Sequence, residues 1–120
     1  MLKRIAQLLG WSSKPPPEYS SATRAALDQW TSTLRLYHFY SCPFCARVHR
    51  ALRELGLNPQ LCEVTANTEH RKDLVNGGGR TTVPCLRIAQ TGAEDIWMYE
   101  STDIVAWLRR EVASICARPN

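Results

Sequence analysis

Cys42 and Cys45 stand in the run H-F-Y-S-C-P-F-C-A-R-V that extends from His38 to Val48, with Pro43 and Phe44 between them. Two thiols at this spacing admit three chemistries: half of a tetrahedral zinc site, a structural bridge, or a redox pair in which one sulfur attacks and the other resolves. A zinc site lacks its second half here. Cys62, Cys85 and Cys116 are single, and no histidine lies three or four residues from any of these three as a paired ligand would.

The elements around the pair favour redox chemistry. Leu34 to Tyr40 is rich in apolar and aromatic residues and is bounded by Ser41 and Pro43, the profile of a strand. Phe44, Val48, Ala51, Leu52 and Leu55 then recur at helical spacing, Arg47, Arg50, Arg53 and Glu54 take other positions, and Gly56 supplies a stop. The cysteines therefore fall where a strand ends and a helix begins, with Pro43 in a first turn that needs no N–H from it. Unpaired N–H groups and the positive end of the helix dipole favour a thiolate at Cys42. Cys45, one turn into the helix, is within reach of the first sulfur but more shielded, and suits the resolving role.

The remaining elements follow from periodicity. Ala25, Ala26, Leu27 and Trp30 point to a helix over Thr23–Thr31 that leads into the first strand, and Leu61–Val64 reads as a second short strand. A second helix is expected over Thr68–Val75, ended by a flexible loop at Asn76-Gly77-Gly78-Gly79. Val83–Ile88 and Ile96–Tyr99 read as a hairpin turning near Gly92, and Ile104, Leu108, Val112 and Ile115 mark a closing helix. The order β-α-β-α-β-β-α, a crossover followed by a hairpin, implies an α/β fold with a four-stranded mixed sheet flanked by helices.

Length and charge set the outer limits. With 120 residues, one domain can bury a core without disulfide staples, and five cysteines argue against a complete secreted framework. A reducing, cytoplasmic setting is expected. The net charge of +4 is scattered rather than gathered into a run, so no nucleic-acid partner is expected. Residues 1–33 read as an N-terminal extension, and 34–120 as the compact domain. Leu2, Ile5, Leu8 and Leu9 share one face of a short amphipathic helix, a segment too short to span a bilayer but capable of touching a membrane surface through residues 1–11. Lys14-Pro15-Pro16-Pro17 is a stiff spacer.

Cys42-Pro43-Phe44-Cys45 after a strand, Thr82-Val83-Pro84 further on and the element order between them resemble the glutaredoxin family over residues 33–117. Gly79 to Pro84, G-R-T-T-V-P, is similar to the loop that small bacterial glutaredoxins place opposite their active site. Met98 to Val105, M-Y-E-S-T-D-I-V, instead resembles the N-terminal domain of glutathione transferases. The resemblance implies a thioredoxin-like fold, a cis peptide between Val83 and Pro84, and glutathione as reductant and co-substrate with no metal. It assigns Cys42 and Cys45 as the catalytic, redox-active pair. Thr82, Val83 and Pro84 become the loop facing glutathione, with the Val83 backbone meeting its cysteinyl part. Arg71 is assigned to the glycyl carboxylate, Ser101 and Thr102 to the γ-glutamyl carboxylate, and Glu100 to the ammonium group.

The implied activity is glutathione-dependent thiol–disulfide oxidoreduction on protein–glutathione mixed disulfides and protein disulfides, by a monomer that serves cell redox homeostasis. An iron–sulfur carrier or a non-catalytic glutathione-binding module are the alternatives. The Pro43-bearing, two-cysteine motif argues against the carrier, which usually has Gly after the first Cys and Ser in place of the second. Phe44 stands where the family often has Tyr. The all-helical second domain that holds the electrophile in glutathione transferases does not follow, so conjugation is not expected. His38, His49, Trp97, Trp107 and Tyr99 read as ordinary core or solvated side chains, and Cys62 and Cys116 as small buried apolar ones. Cys85 lies beside Pro84, near enough to join the redox chemistry. Tyr40 either shields the thiolate or simply packs.

Overall fold

In the computed structural model, which describes residues 17–119, strand β1 (Leu34–His38) is the centre of the sheet. It pairs in parallel with β2 (Gln60–Glu63), placing Tyr37 opposite Cys62, and antiparallel with β3 (Cys85–Ile88), placing Tyr37 opposite Cys85. Strand β4 (Ile96–Tyr99) continues the sheet antiparallel to β3, giving the order β2-β1-β3-β4. The expected mixed sheet and element order are both present, and the fold is thioredoxin-like.

Side chains alternate across the sheet, so parity decides which layer each residue joins. Leu34, Leu36, Leu86 and Ile88 face helices α1 (Ser21–Thr31), α2 (Pro43–Leu55) and α4 (Ser101–Cys116), where Leu27, Val48, Leu52, Ile104 and Leu108 complete an aliphatic core. Tyr37, Cys62 and Cys85 face the other way and pack with Leu74 under α3 (Thr68–Asp73) and the turn that follows it.

Local signals explain the helix limits. The Ser20 hydroxyl accepts from the Thr23 N–H at 3.1 Å to open α1, and Asn67 accepts from the N–H groups of Glu69 and His70 at 3.0 and 3.1 Å to open α3. Helix α2 has Cys42 as its extended cap, Pro43 in the first turn and Gly56 at φ 68° closing it in the left-handed region that glycine tolerates. Although the sequence assigned α1 to the extension, its Leu27 is fully buried in the main core.

Three details differ from expectation. Strand β3 begins at Cys85 rather than Val83, because Pro84 has no N–H to give a ladder. The glycine stretch is not a loose loop: Leu74–Gly78 forms a single π turn, capped by Gly79 at φ 84°. There, a side chain on Gly77 would overlap the Trp97 ring, and one on Gly78 would overlap the Tyr99 hydroxyl. Cys116, expected to be buried, is exposed near the end of α4. The amphipathic segment 1–11 and most of the proline spacer lie outside the described residues. No described helix is long and apolar enough to cross a membrane.

Candidate functional site

Cys42 is the hinge between β1 and α2. Its backbone is extended at φ −83° and ψ 120°, and its Sγ accepts the Cys45 N–H at 3.4 Å. A negative charge on this sulfur would meet that N–H and the positive end of a thirteen-residue helix. On the other side the Cys42 sulfur lies 4.0 Å from the Val83 carbonyl oxygen, across from the cis Val83–Pro84 peptide. All five cysteines are free thiols.

Cys45 lies deeper than Cys42, which keeps 6% of its surface exposed. Cys45 is fully buried, and burial pushes its thiol up to about 12, assisted by the nearby Cys42 sulfur and opposed by a hydrogen bond from the Phe39 backbone. At neutral pH Cys45 therefore keeps its proton, a state that suits a resolving rather than an attacking thiol. Cys85 is also fully buried, and burial pushes its thiol up to about 12 against the lowering effect of the Tyr99 hydroxyl.

Beside Cys42 lies a cleft of about 460 Å³, within the size range of small-molecule sites. Phe44 and Arg47 from α2, Arg80, Thr82, Val83 and Pro84 from the loop before β3, Tyr99 from β4, and Glu100, Ser101 and Thr102 at the start of α4 line it. The Arg47 guanidinium lies 5.7 Å from the centre of the Phe44 ring and donates to the Ser101 hydroxyl at 3.3 Å. Arg80 lies over the Tyr99 ring at 5.0 Å, and the Tyr99 hydroxyl donates to the Arg80 carbonyl at 3.3 Å. Glu100 has φ 72°, a conformation in which a non-glycine residue costs about 1–3 kcal/mol and which concentrates at ligand clamps. It turns the chain so that the first N–H groups of α4 open at the cleft, where they have no intrahelical partner.

The nominated residues Thr82, Val83, Pro84, Glu100, Ser101 and Thr102 thus share one cleft, and Cys42 adjoins it through Val83. Arg71 stands on the exposed surface of α3 and is not among the lining residues. Among the described residues, no group of three or more His, Cys, Asp or Glu side chains is arranged to hold a metal ion.

The family described as glutathione S-transferase, N-terminal domain, matches residues 36–114, from β1 through most of α4. The chain belongs to that family. Similarity also extends to glutaredoxin 3 of Escherichia coli K12, which is 29% identical over 73 residues, covering 58% of this chain and 88% of that protein. The glutaredoxin 3 sequences of the O6:H1 and O157:H7 strains match to the same extent. Among solved structures, the holo form of glutaredoxin C1 from Populus tremula x tremuloides aligns with a TM-score of 0.49 and 21% identity, covering 80% of this chain and 96% of that one. The similarity to glutaredoxin 3 bears out the resemblance to glutaredoxins drawn from the motifs.

Within this glutathione S-transferase N-terminal domain, sequence reasoning missed Arg47 and Arg80. Both had a signal. Arg47 lies two residues after Cys45, three after Phe44 on the same helix surface, and Arg80 is part of the very stretch G-R-T-T-V-P that carried the resemblance. Tyr99, read as core, also forms a cleft wall.

Proposed function

We propose that the protein is a glutathione-dependent thiol–disulfide oxidoreductase in which Cys42 attacks and the cleft beside it holds glutathione. Family membership and the likeness to glutaredoxin 3 support a glutathione-related thiol oxidoreductase in general. The observation that carries the finer reading is the position of the Cys42 sulfur, capped by the Cys45 N–H and adjoining a cleft with two arginines and one glutamate. Glutathione has two carboxylates and one ammonium group, and this lining offers the opposite charges. Arg47, the Ser101 hydroxyl and the open start of α4 suit one carboxylate, Arg80 suits the other, and Glu100 suits the ammonium. Arg71, assigned by resemblance to the glycyl carboxylate, would have to reach in from α3.

The reaction follows from thiol exchange. The Cys42 thiolate attacks the glutathione sulfur of a protein–glutathione mixed disulfide; the bond between Cys42 and glutathione forms as the old disulfide breaks, and the protein thiol leaves. A second glutathione thiolate then attacks the bound glutathione sulfur, releasing oxidised glutathione and restoring the Cys42 thiolate. Removal of glutathione needs one cysteine only. Reduction of a protein disulfide uses both: Cys42 forms the mixed disulfide, and Cys45 displaces the substrate to leave the Cys42–Cys45 disulfide.

Two variants and two substrates test this. Cys42→Ser should abolish both activities, because a hydroxyl is hardly ionised near neutral pH. Cys45→Ser should keep deglutathionylation at a comparable or higher rate and lose most protein-disulfide reduction. Full activity in Cys42→Ser would overturn the reading, and equal loss of both activities in Cys45→Ser would overturn the division of roles.

A further inference from the structure

His38 is fully buried at the end of β1, and its Nδ1 lies 3.2 Å from Nε2 of His49, one turn beyond Cys45 on α2. Burial lowers both imidazoles. Glu63 on β2 partly opposes the effect at His38, whereas His49 is pushed down to about 4 by burial, then by His38 and Arg53. Both rings are neutral at neutral pH, so one bridging nitrogen donates and the other accepts. The second nitrogen of His38, Nε2, is buried without a hydrogen-bond partner among the described residues. The exposed Tyr40 packs edge-on against His38 with ring centres 4.8 Å apart. The titratable and charged groups around the pair are thus Glu63 from β2, Arg53 and Cys45 from α2, and Tyr40 from the loop between β1 and α2.

The next residue holds the cysteines. The Phe39 carbonyl accepts the Cys42 N–H at 3.3 Å, and the Phe39 backbone also hydrogen-bonds the Cys45 thiol. Cys45 and His49 are four residues apart and share one face of the helix. Residues 38 and 39 therefore grip α2 at two successive turns, once at the resolving thiol and once at the imidazole. A bond between two sulfurs closes readily only when both are already held near bonding geometry, at a final separation of about 2.05 Å.

We propose that His49 is a positioning residue for Cys45: through His38 it fixes the first two turns of α2 against the end of β1 and so favours closure of the Cys42–Cys45 disulfide. This rests on the thiol–disulfide reading above. In the step concerned, two protein thiols give two electrons and two protons to oxidised glutathione; the Cys42–Cys45 bond forms, the glutathione disulfide breaks, and two glutathione thiols result.

The test measures the equilibrium constant for that exchange in the full-length protein, by acid quench and separation of the dithiol and disulfide forms. His49→Leu fills the space but leaves His38 without its partner, and should lower the constant at least threefold. His49→Gln keeps a hydrogen-bonding side chain and should stay within twofold at pH 7. Between pH 6.5 and 3.5 the ratio of the wild-type constant to that of His49→Gln should fall at least twofold, since protonation of His49, held near 4, sets it against His38 in the wild type alone. In a Cys45→Ser background, His49→Leu should leave deglutathionylation within twofold. An unchanged constant in His49→Leu, or a flat ratio with pH, overturns the proposal; if His49→Leu does not fold, the ratio decides alone. Repeating the equilibration with dithiothreitol separates the two readings: a wild-type protein inert to glutathione would sink the proposed function, while the dithiothreitol constants would still judge His49.

Discussion

Leu34, Leu36, Leu86 and Ile88 on one face of the sheet join a buried aliphatic cluster from α1, α2 and α4 with Trp30 and Trp107 packed at its edge, whereas Tyr37, Cys62 and Cys85 on the other lie against Leu74, Trp97 and Tyr99. The first face has little orientation to defend, and its energy is that of apolar area removed from water. The second carries polar tips that each need a partner. The Tyr37 hydroxyl receives a bond from Arg87 at 3.0 Å, Arg87 also binds Asp95 at 2.7 Å, and Tyr99 reaches the Arg80 carbonyl. Val83 and Tyr99 from this second layer are also walls of the cleft. One face therefore serves as platform and the other shapes the site, and perturbations should divide along that line.

The largest effect should come from the platform. Leu86 is fully buried between β1 and the helices, and Leu86→Ala should cost about 2–5 kcal/mol, measured as the shift of a urea midpoint at constant slope. Cys42 reactivity toward a small alkylating agent should survive wherever the variant is folded. On the shaping face, Gly77→Ala should cost less, about 1–3 kcal/mol, by forcing a methyl into the Trp97 ring. Unlike Leu86→Ala, it should change both Trp97 fluorescence and the glutathione KM. Equal effects on KM from both variants would erase the distinction between the faces.

The histidine pair is the polar exception on the platform side, and pH reaches it selectively. Burial holds His49 near 4 in the folded protein against 6.5 for a free imidazole, so between those values the unfolded chain binds more protons. Stability should be intact above about pH 6.5, fall as pH drops toward 4, and lose nothing more from this source below that. The expected loss is about 1–2 kcal/mol once solvent screening of a half-buried ring is allowed for. Urea midpoints at pH 7 and 4.5 should separate more for the wild type than for His49→Gln.

What the sequence conveyed divides along the same boundary. The apolar strand runs, the Pro43 and Gly56 limits of α2 and the aliphatic stripe of α4 are local signals, and each appears within a residue or two of its expected place. The π turn was hidden because Gly77 and Gly78 read locally as flexible, while Trp97 and Tyr99, which require their bareness, come about twenty residues later. The histidine pair was hidden likewise: each ring looked ordinary, and only the closing of α2 onto β1 joins them. The cysteine pair was legible because its chemistry depends on a strand end and a helix start that are adjacent in sequence.

The smallest effect on stability, and the sharpest on the site, should come from the arginines. Arg47 and Arg71 are both exposed helix residues, and replacing either by Ala should alter stability by no more than about 0.5 kcal/mol. In the folded protein their surroundings differ. Arg47 lies over Phe44 and donates to Ser101 within the cleft, so a carboxylate bound there would gain a charge-assisted hydrogen bond, worth about 1.5–3 kcal/mol. Arg71 is outside the lining and would contribute only if glutathione extended across to α3. Arg47→Ala should therefore raise the glutathione KM about tenfold with turnover little changed, the sign of lost binding rather than lost chemistry. Arg71→Ala should raise it less than threefold. Steady-state kinetics of the two variants with a glutathione mixed disulfide decide between the arginine chosen by resemblance and the arginine chosen by geometry: a larger effect at Arg71 would move the carboxylate site from the α2 wall of the cleft to α3.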